Sequence, residues 1–346
     1  MNQRQKQVLI QKLILLSIII IAIIAVILGV FSLLKKKDVP ANTDTEENVP
    51  VTYTYTEDEL IALMQRAKDD TYAELLDQMR TQYENGVSTT ELLRQYFPDN
   101  IVYYDKTGYV FADISENVNK TSYLAENYIT NSSGEVELIV NGETISHKGI
   151  DVSKFQGNIN WEQVAQSGVE YAMIRVGYRS YGTGIIKDDE YFTRNIKGAL
   201  NAGVNVGVYF FSMAVNVEEA IEEADYVLSA IQGYDVTYPI VIDVEEIAND
   251  TYRTSSLTPE ELTDICIAFC ERIKEAGYTP MIYANLKYFV GRLELERLND
   301  YEKWFAYYGS SPYFPYEISM WQYSEKGSVP GIEGDVDINI SYKYFH

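Results

Sequence analysis

Residues 239–246 read Pro-Ile-Val-Ile-Asp-Val-Glu-Glu, a short apolar run that ends in carboxylates at Asp243 and Glu245. In a β-strand, side chains two positions apart project to one face with Cα atoms about 6.6–7 Å apart, so both acids would address the same site. Two like charges held that close push their pKa values apart, leaving one group protonated and the other ionised. That is the equipment of general acid–base catalysis. Glu246 would point to the other face as a solvated or structural charge. A plainer reading stays open at this point, in which Asp243 and Glu245 merely end a strand or pair with a neighbouring Lys or Arg.

Other catalytic chemistries have little to work with. The chain holds two histidines, His147 and the terminal His346, and two cysteines, Cys266 and Cys270. Ser-His-Asp, Cys-His and zinc-hydrolase arrangements all lean on these residue types. Cys266 and Cys270 stand four apart in a helical pattern with Leu262, Ile265, Phe269 and Ile273, which reads as a buried face rather than a ligand set. No metal and no organic cofactor is expected.

The elements that must hold Asp243 and Glu245 are legible from Lys148 onward, where strands and helices alternate. Strands are expected at 148–152, 171–177, 204–211, 239–244, 279–284, 303–307, 317–323 and 335–340. Helices are expected at Trp161–Ser167, Asp189–Ala202, Val217–Ile231 and Pro259–Ala276, with loop-like connections after 285. The fold class is therefore α/β, an irregular (β/α) barrel of about eight strands and five helices. Barrels of this kind carry function at the C-terminal ends of their strands. Asp151 ends the first strand, Asp243 and Glu245 the fourth, and Asp337 lies on the last. Tyr209 and Phe211, Tyr283, and Trp321 with Gln322 occupy comparable positions on the third, fifth and seventh. Aromatic rings there suit the apolar faces of sugars, with amides and hydroxyls to hydrogen-bond the edges, although Tyr209 or Tyr283 alone would serve equally as barrel filling.

Upstream the composition changes. Residues 1–37 hold six Lys and Arg and no acid, leaving 22 basic against 51 acidic residues beyond them, a net −29. So acidic a body repels phosphate backbones, and nucleic-acid binding is not expected. Leu13–Leu34 is an uncharged run of 22 residues rich in Ile, Leu and Val, long enough to cross a bilayer as a helix. It ends in Lys-Lys-Lys rather than a small-residue cleavage site, so residues 1–37 read as an uncleaved anchor that meets the lipid through 13–34. Residues 38–55 read as a polar linker. Residues 56–146 read as a long amphipathic helix, opened by Thr56 and Glu59 and bearing a core-type stripe, followed by a small α+β module with an Asn-Gly hairpin at 141–142.

Several pieces of the barrel agree with one known family. Gly149-Ile150-Asp151-Val152-Ser153 with Gln156, Asp189-x-x-Phe192-x-x-Asn195, Gly207-Val208-Tyr209-Phe210-Phe211, Asp243-Val244-Glu245, and Trp321-Gln322-Tyr323 followed by Gly331 and Val336-Asp337-Ile338-Asn339 occur in order. The chain resembles the glycoside hydrolase family 25 muramidases over residues 147–346. The resemblance implies hydrolysis of the β-1,4 bond between N-acetylmuramic acid and N-acetylglucosamine in peptidoglycan glycan strands. It implies that Glu245 is the general acid and that Asp243, Asp151 and Asp337 complete an acidic cluster; its wall substrate places the barrel outside the cell, on the single-pass membrane anchor read from the uncharged run at 13–34. Asp243 is expected to assist the substrate's N-acetyl group or the oxocarbenium-like charge, with retaining and inverting routes left open. The second strand departs from a common family pattern by reading Ile174-Arg175-Val176-Gly177, which leaves open whether Arg175 touches sugar or pairs with an acid. Two rivals stand beside this reading. One is a catalytically dead wall-binding scaffold. The other is a chitinase-like hydrolase, whose Asp-x-x-Asp-x-Asp-x-Glu signature is broken here by Tyr238 and Val241.

Overall fold

The computed structural model describes residues 55–247 and 252–345. The expected membrane span at 13–34, nearly all of the linker and His346 lie outside the described residues. Among the described residues no helix is long and apolar enough to cross a membrane.

The chain divides at Ala73 into two units. The first contains the start of helix α1 (Glu57–Glu84), whose capping box pairs the Thr56 N–H with Glu59 Oε2 at 3.0 Å and the Glu59 N–H with Thr56 Oγ1 at 3.3 Å. No residue of α1 is buried, so among the described residues the stripe of Leu60, Ile61 and Met64 covers no core, contrary to the expectation from periodicity. Periodicity reports that one face is apolar; it does not say that anything packs on it.

The second unit is built around a closed barrel. Its strands are β6 (His147–Val152), β7 (Tyr171–Arg179), β9 (Asn205–Phe211), β10 (Ile240–Asp243), β11 (Pro280–Asn285), β12 (Glu302–Ala306), β13 (Met320–Gly327) and β14 (Val336–Ser341). β6 pairs with both β14 and β7, which closes the ring, while a short β8 (Ile186–Asp188), unforeseen in the sequence, hangs antiparallel on β7. Seven strands run parallel. β14 runs antiparallel to β13 and to β6. Helices α3 (Trp161–Gln166), α4 (Phe192–Asn201), α5 (Val217–Ala230), α6 (Pro259–Glu275) and a short α7 (Leu286–Gly291) follow β6, β7, β9, β10 and β11. Cys266 and Cys270 are buried on α6, as their spacing implied.

Alternation along the strands sorts two cores. Tyr171, Met173, Val241, Met281, Trp304 and Met320 fill the barrel, and the intervening positions pack outward under the helices. Gly149 belongs to the inner layer, where a Cβ would stand 2.1 Å from the Tyr171 ring. Among the described residues no helix follows β12, β13 or β14, and beyond Phe289 of α7, which meets Phe305, the segment before the barrel packs there instead. That segment comprises α2 (Thr89–Tyr96), the hairpin β1 (Asn100–Asp105) and β2 (Gly108–Asp113), and a small sheet of β3 (Tyr128–Thr130), β4 (Val136–Val140) and β5 (Glu143–Thr144). Asn141 and Gly142 turn between β4 and β5 with φ of 53° and 84°, the two positive values a type I′ turn demands. Tyr128 meets the Trp321 ring edge-on at 5.3 Å and its hydroxyl lies 2.8 Å from that of Tyr342. Ile101, Val118, Tyr128, Val136 and Leu138 share one apolar cluster with the barrel's outer layer. The irregular final third of the barrel thus has a physical reason: its outer face is already occupied.

Candidate active site

At the C-terminal mouth of the parallel strands one pocket is lined by Asp151, Arg175, Tyr209, Asp243, Glu245, Tyr283, Gln322 and Asp337, together with Ser153, Phe155, Gln156, Trp304, Tyr308 and Glu325. All four acids singled out in the sequence meet there. β10 ends at Asp243, so Glu245 follows the strand rather than ending it, yet both carboxylates reach the same space. Glu246 turns aside to ion pairs with Lys106 and Lys287, each at 2.8 Å.

Asp151 is the best-solvated acid in protein terms. Its Oδ2 accepts hydrogen bonds from Gln322 Nε2 and Asn339 Nδ2, both at 2.8 Å. Those donors are themselves oriented: Tyr283 donates to Gln322 Oε1 at 3.0 Å, and Trp304 Nε1 to Asn339 Oδ1 at 2.8 Å. Fixed acceptors on the amide oxygens leave the NH₂ groups aimed at Asp151. Burial still raises its pKa, and the amide donors, the Asp337 carboxyl and Arg175 oppose that rise.

The neighbouring acids are raised as well. Burial and then the charge on Asp151 push Glu245 up to about 7, with Arg175 opposing. Burial, the Asp151 charge and a hydrogen bond to Asp151 push Asp337 up to about 9. Asp243 is raised by burial, then by Glu245 and Asp151. Its Oδ1 is buried with no hydrogen-bond partner among the described residues. An acceptor that the protein itself leaves unsatisfied is available to a ligand hydrogen.

Arg175 pairs with an acid and also lines the pocket. Its Nε and one terminal nitrogen sit 2.8 Å from Asp189 Oδ2, an oxygen that also accepts the Lys154 N–H at 3.0 Å, while the guanidinium remains in the pocket wall. A 3₁₀ turn at Lys154–Gln156, capped by Ser153 Oγ, which accepts the Phe155 N–H at 3.3 Å, presents Phe155 at the rim with the Arg175 guanidinium 5.1 Å from its ring centre.

Two expected aromatic residues are elsewhere. Trp321 is fully buried on the outer face of β13, with Nε1 donating to the Tyr307 carbonyl at 2.7 Å, because alternation sends Gln322 inward and Trp321 outward. Phe211, the last residue of β9, is half-buried and leaves the layer that Tyr209 occupies, so it does not line the pocket. Trp304 takes the inward place, and the signal for it lay in the same alternation along Glu302–Ala306.

A family model for glycosyl hydrolases family 25 matches residues 150–332. The chain is 31% identical over 207 residues to Lysozyme M1 of Streptomyces globisporus, covering 57% of this chain and 68% of that one. It is 28% identical over 193 residues to the autolytic lysozyme of Clostridium acetobutylicum, covering 56% and 55% respectively, so only about half of that relative's length is spanned. The modular autolysin LytC of Streptococcus pneumoniae shares the fold with a TM-score of 0.50 at 24% identity, over 70% of this chain and 56% of the other.

Proposed function

The chain belongs to glycosyl hydrolases family 25, and on that premise we propose that its acidic pocket is a muramidase site cutting the β-1,4 bond between N-acetylmuramic acid and N-acetylglucosamine. Lysozymes among its relatives support this substrate, as does the solved LytC complex described with a synthetic peptidoglycan ligand. The observation that carries the reading is the convergence of Glu245 with Asp151, Asp243 and Asp337 in one buried pocket.

Each group has a part that its surroundings explain. Glu245, pushed up to about 7, keeps a proton near neutrality and hands it to the departing glycosidic oxygen. Asp151, held by Gln322 and Asn339, supplies the fixed negative charge that stabilises an oxocarbenium-like centre and keeps Glu245 protonated. Asp243 offers its unpartnered Oδ1 to the N–H of the substrate's acetamido group, so that the amide oxygen attacks the anomeric carbon as the glycosidic bond breaks. Tyr209, Tyr283 and Gln322 shape the wall against the sugar.

The uncharged run at 13–34 supports the further reading that the barrel is tethered outside the cell and remodels wall within reach of its anchor. Digested wall, reduced with borohydride and analysed by mass spectrometry, tests the bond assignment. Fragments ending in reduced N-acetylmuramic acid are expected; reduced N-acetylglucosamine ends would contradict it.

A further inference from the structure

Beside the acidic pocket opens a second groove whose far wall comes from outside the family-matched segment. It shares Glu245, Tyr283 and Tyr308 with the pocket and adds Arg94 from α2, Tyr104 from β1 and Lys287 from α7. The wall is firmly seated. The Val102 N–H donates to the Tyr313 hydroxyl at 3.0 Å, and Arg94 donates to the Val102 carbonyl at 3.1 Å and the Tyr307 hydroxyl at 2.8 Å, its guanidinium 3.6 Å from the Tyr313 ring centre. At the hairpin turn Lys106 pairs with Glu246, the residue after Glu245, at 2.8 Å. The hairpin is thereby fixed relative to the catalytic acid.

Tyr104 and Tyr308 are 62% and 50% exposed, large rings left in solvent at the edge of a groove continuous with the active site. The cations beside them are engaged, Arg94 as above and Lys287 with Glu246 at 2.8 Å. An anionic ligand would have to break those contacts, whereas a neutral ring with one apolar face would not. Exposed tyrosines combine an apolar face with a polar tip, which suits such a ligand. We propose that the β1–β2 hairpin supplies an added subsite in which Tyr104 stacks on a further N-acetylglucosamine ring, the neutral sugar of the strand bound at Glu245. This rests on the muramidase reading and extends it to a residue that the family match does not include.

The test uses the full chain carrying Glu245→Gln, which holds glycan uncut, and peptide-free di-, tetra- and hexasaccharides of the wall backbone, measured by calorimetry. Affinity is expected to rise about tenfold when the oligomer becomes long enough to reach the groove. Adding Tyr104→Ala should erase that gain while the shortest bound oligomer keeps its affinity, and Tyr104→Phe should restore the gain. An unchanged gain with Tyr104→Ala, or a gain that needs stem peptides, overturns the subsite alone. Failure of every oligomer to bind the Glu245→Gln chain overturns the subsite together with the muramidase reading.

Discussion

Asp337 on β14 lies directly opposite Asp151 on β6, and its carboxyl hydrogen-bonds the Asp151 side chain. The pairing exists because β14 runs against its neighbours. In a parallel strand a residue so near the start, Val336–Ser341, would sit at the bottom of the barrel; reversal brings it to the mouth. Opposed residues of an antiparallel pair have Cβ atoms about 4.5–5.5 Å apart, close enough for one proton to serve two carboxyls.

Stability should register that shared proton. Asp337 has a folded pKa of about 9, above its ordinary value, so the folded state binds a proton that the unfolded chain has released. Stability from this group is therefore present at low pH and lost as pH rises from the carboxylate range through about 9. Asp337→Asn cannot ionise and can still donate to Asp151. Its Tm advantage over the unmodified chain should be largest near pH 9, smaller at pH 5, and vanish only below about pH 4, where the unfolded chain also holds the proton. Equal Tm differences at both pH values, by calorimetry, would count against the shared proton.

The pH–rate profile reads Glu245. As an acid it works only when protonated, so kcat/KM should fall as pH rises through about 7. Arg175 lowers the Glu245 pKa, so Arg175→Met should move that alkaline limb to higher pH, whatever the variant loses in rate. A limb that stays in place or moves to lower pH would remove Arg175 from the electrostatics of the site.

Trp321 separates packing from binding. It is fully buried beneath Tyr128 and donates to the Tyr307 carbonyl. Trp321→Ala should cost about 3–5 kcal/mol in denaturant unfolding, the usual toll of emptying a large buried site. A variant of ordinary stability with a raised KM would instead return Trp321 to the substrate.

Much of this site was legible in the sequence because acids at strand ends stand out from apolar runs. Asp151 and Asp243 fall at the strand ends where barrel logic puts them, Glu245 reaches the same pocket from just beyond its strand, and the eight strands lie within a few residues of expectation. Asp337 was found without the reason for its position, since strand direction leaves no local mark. Phe211 and Trp321 look like sugar platforms in one dimension; a single step of alternation, or the end of a strand, takes them away. The partner of the bare β12–β14 face was illegible for a related cause. Contacts such as Tyr128 to Trp321 join residues nearly two hundred positions apart, and neither residue's own surroundings announce the other.

The most direct measurement is the rate at which the purified protein releases reducing ends from peptidoglycan, compared with Glu245→Gln at pH 6. The substitution preserves shape and removes the transferable proton, so release should fall about 10²–10⁴-fold with folding intact. A Glu245→Gln protein that still cuts within a few-fold of the original rate would mean that the proton comes from another group.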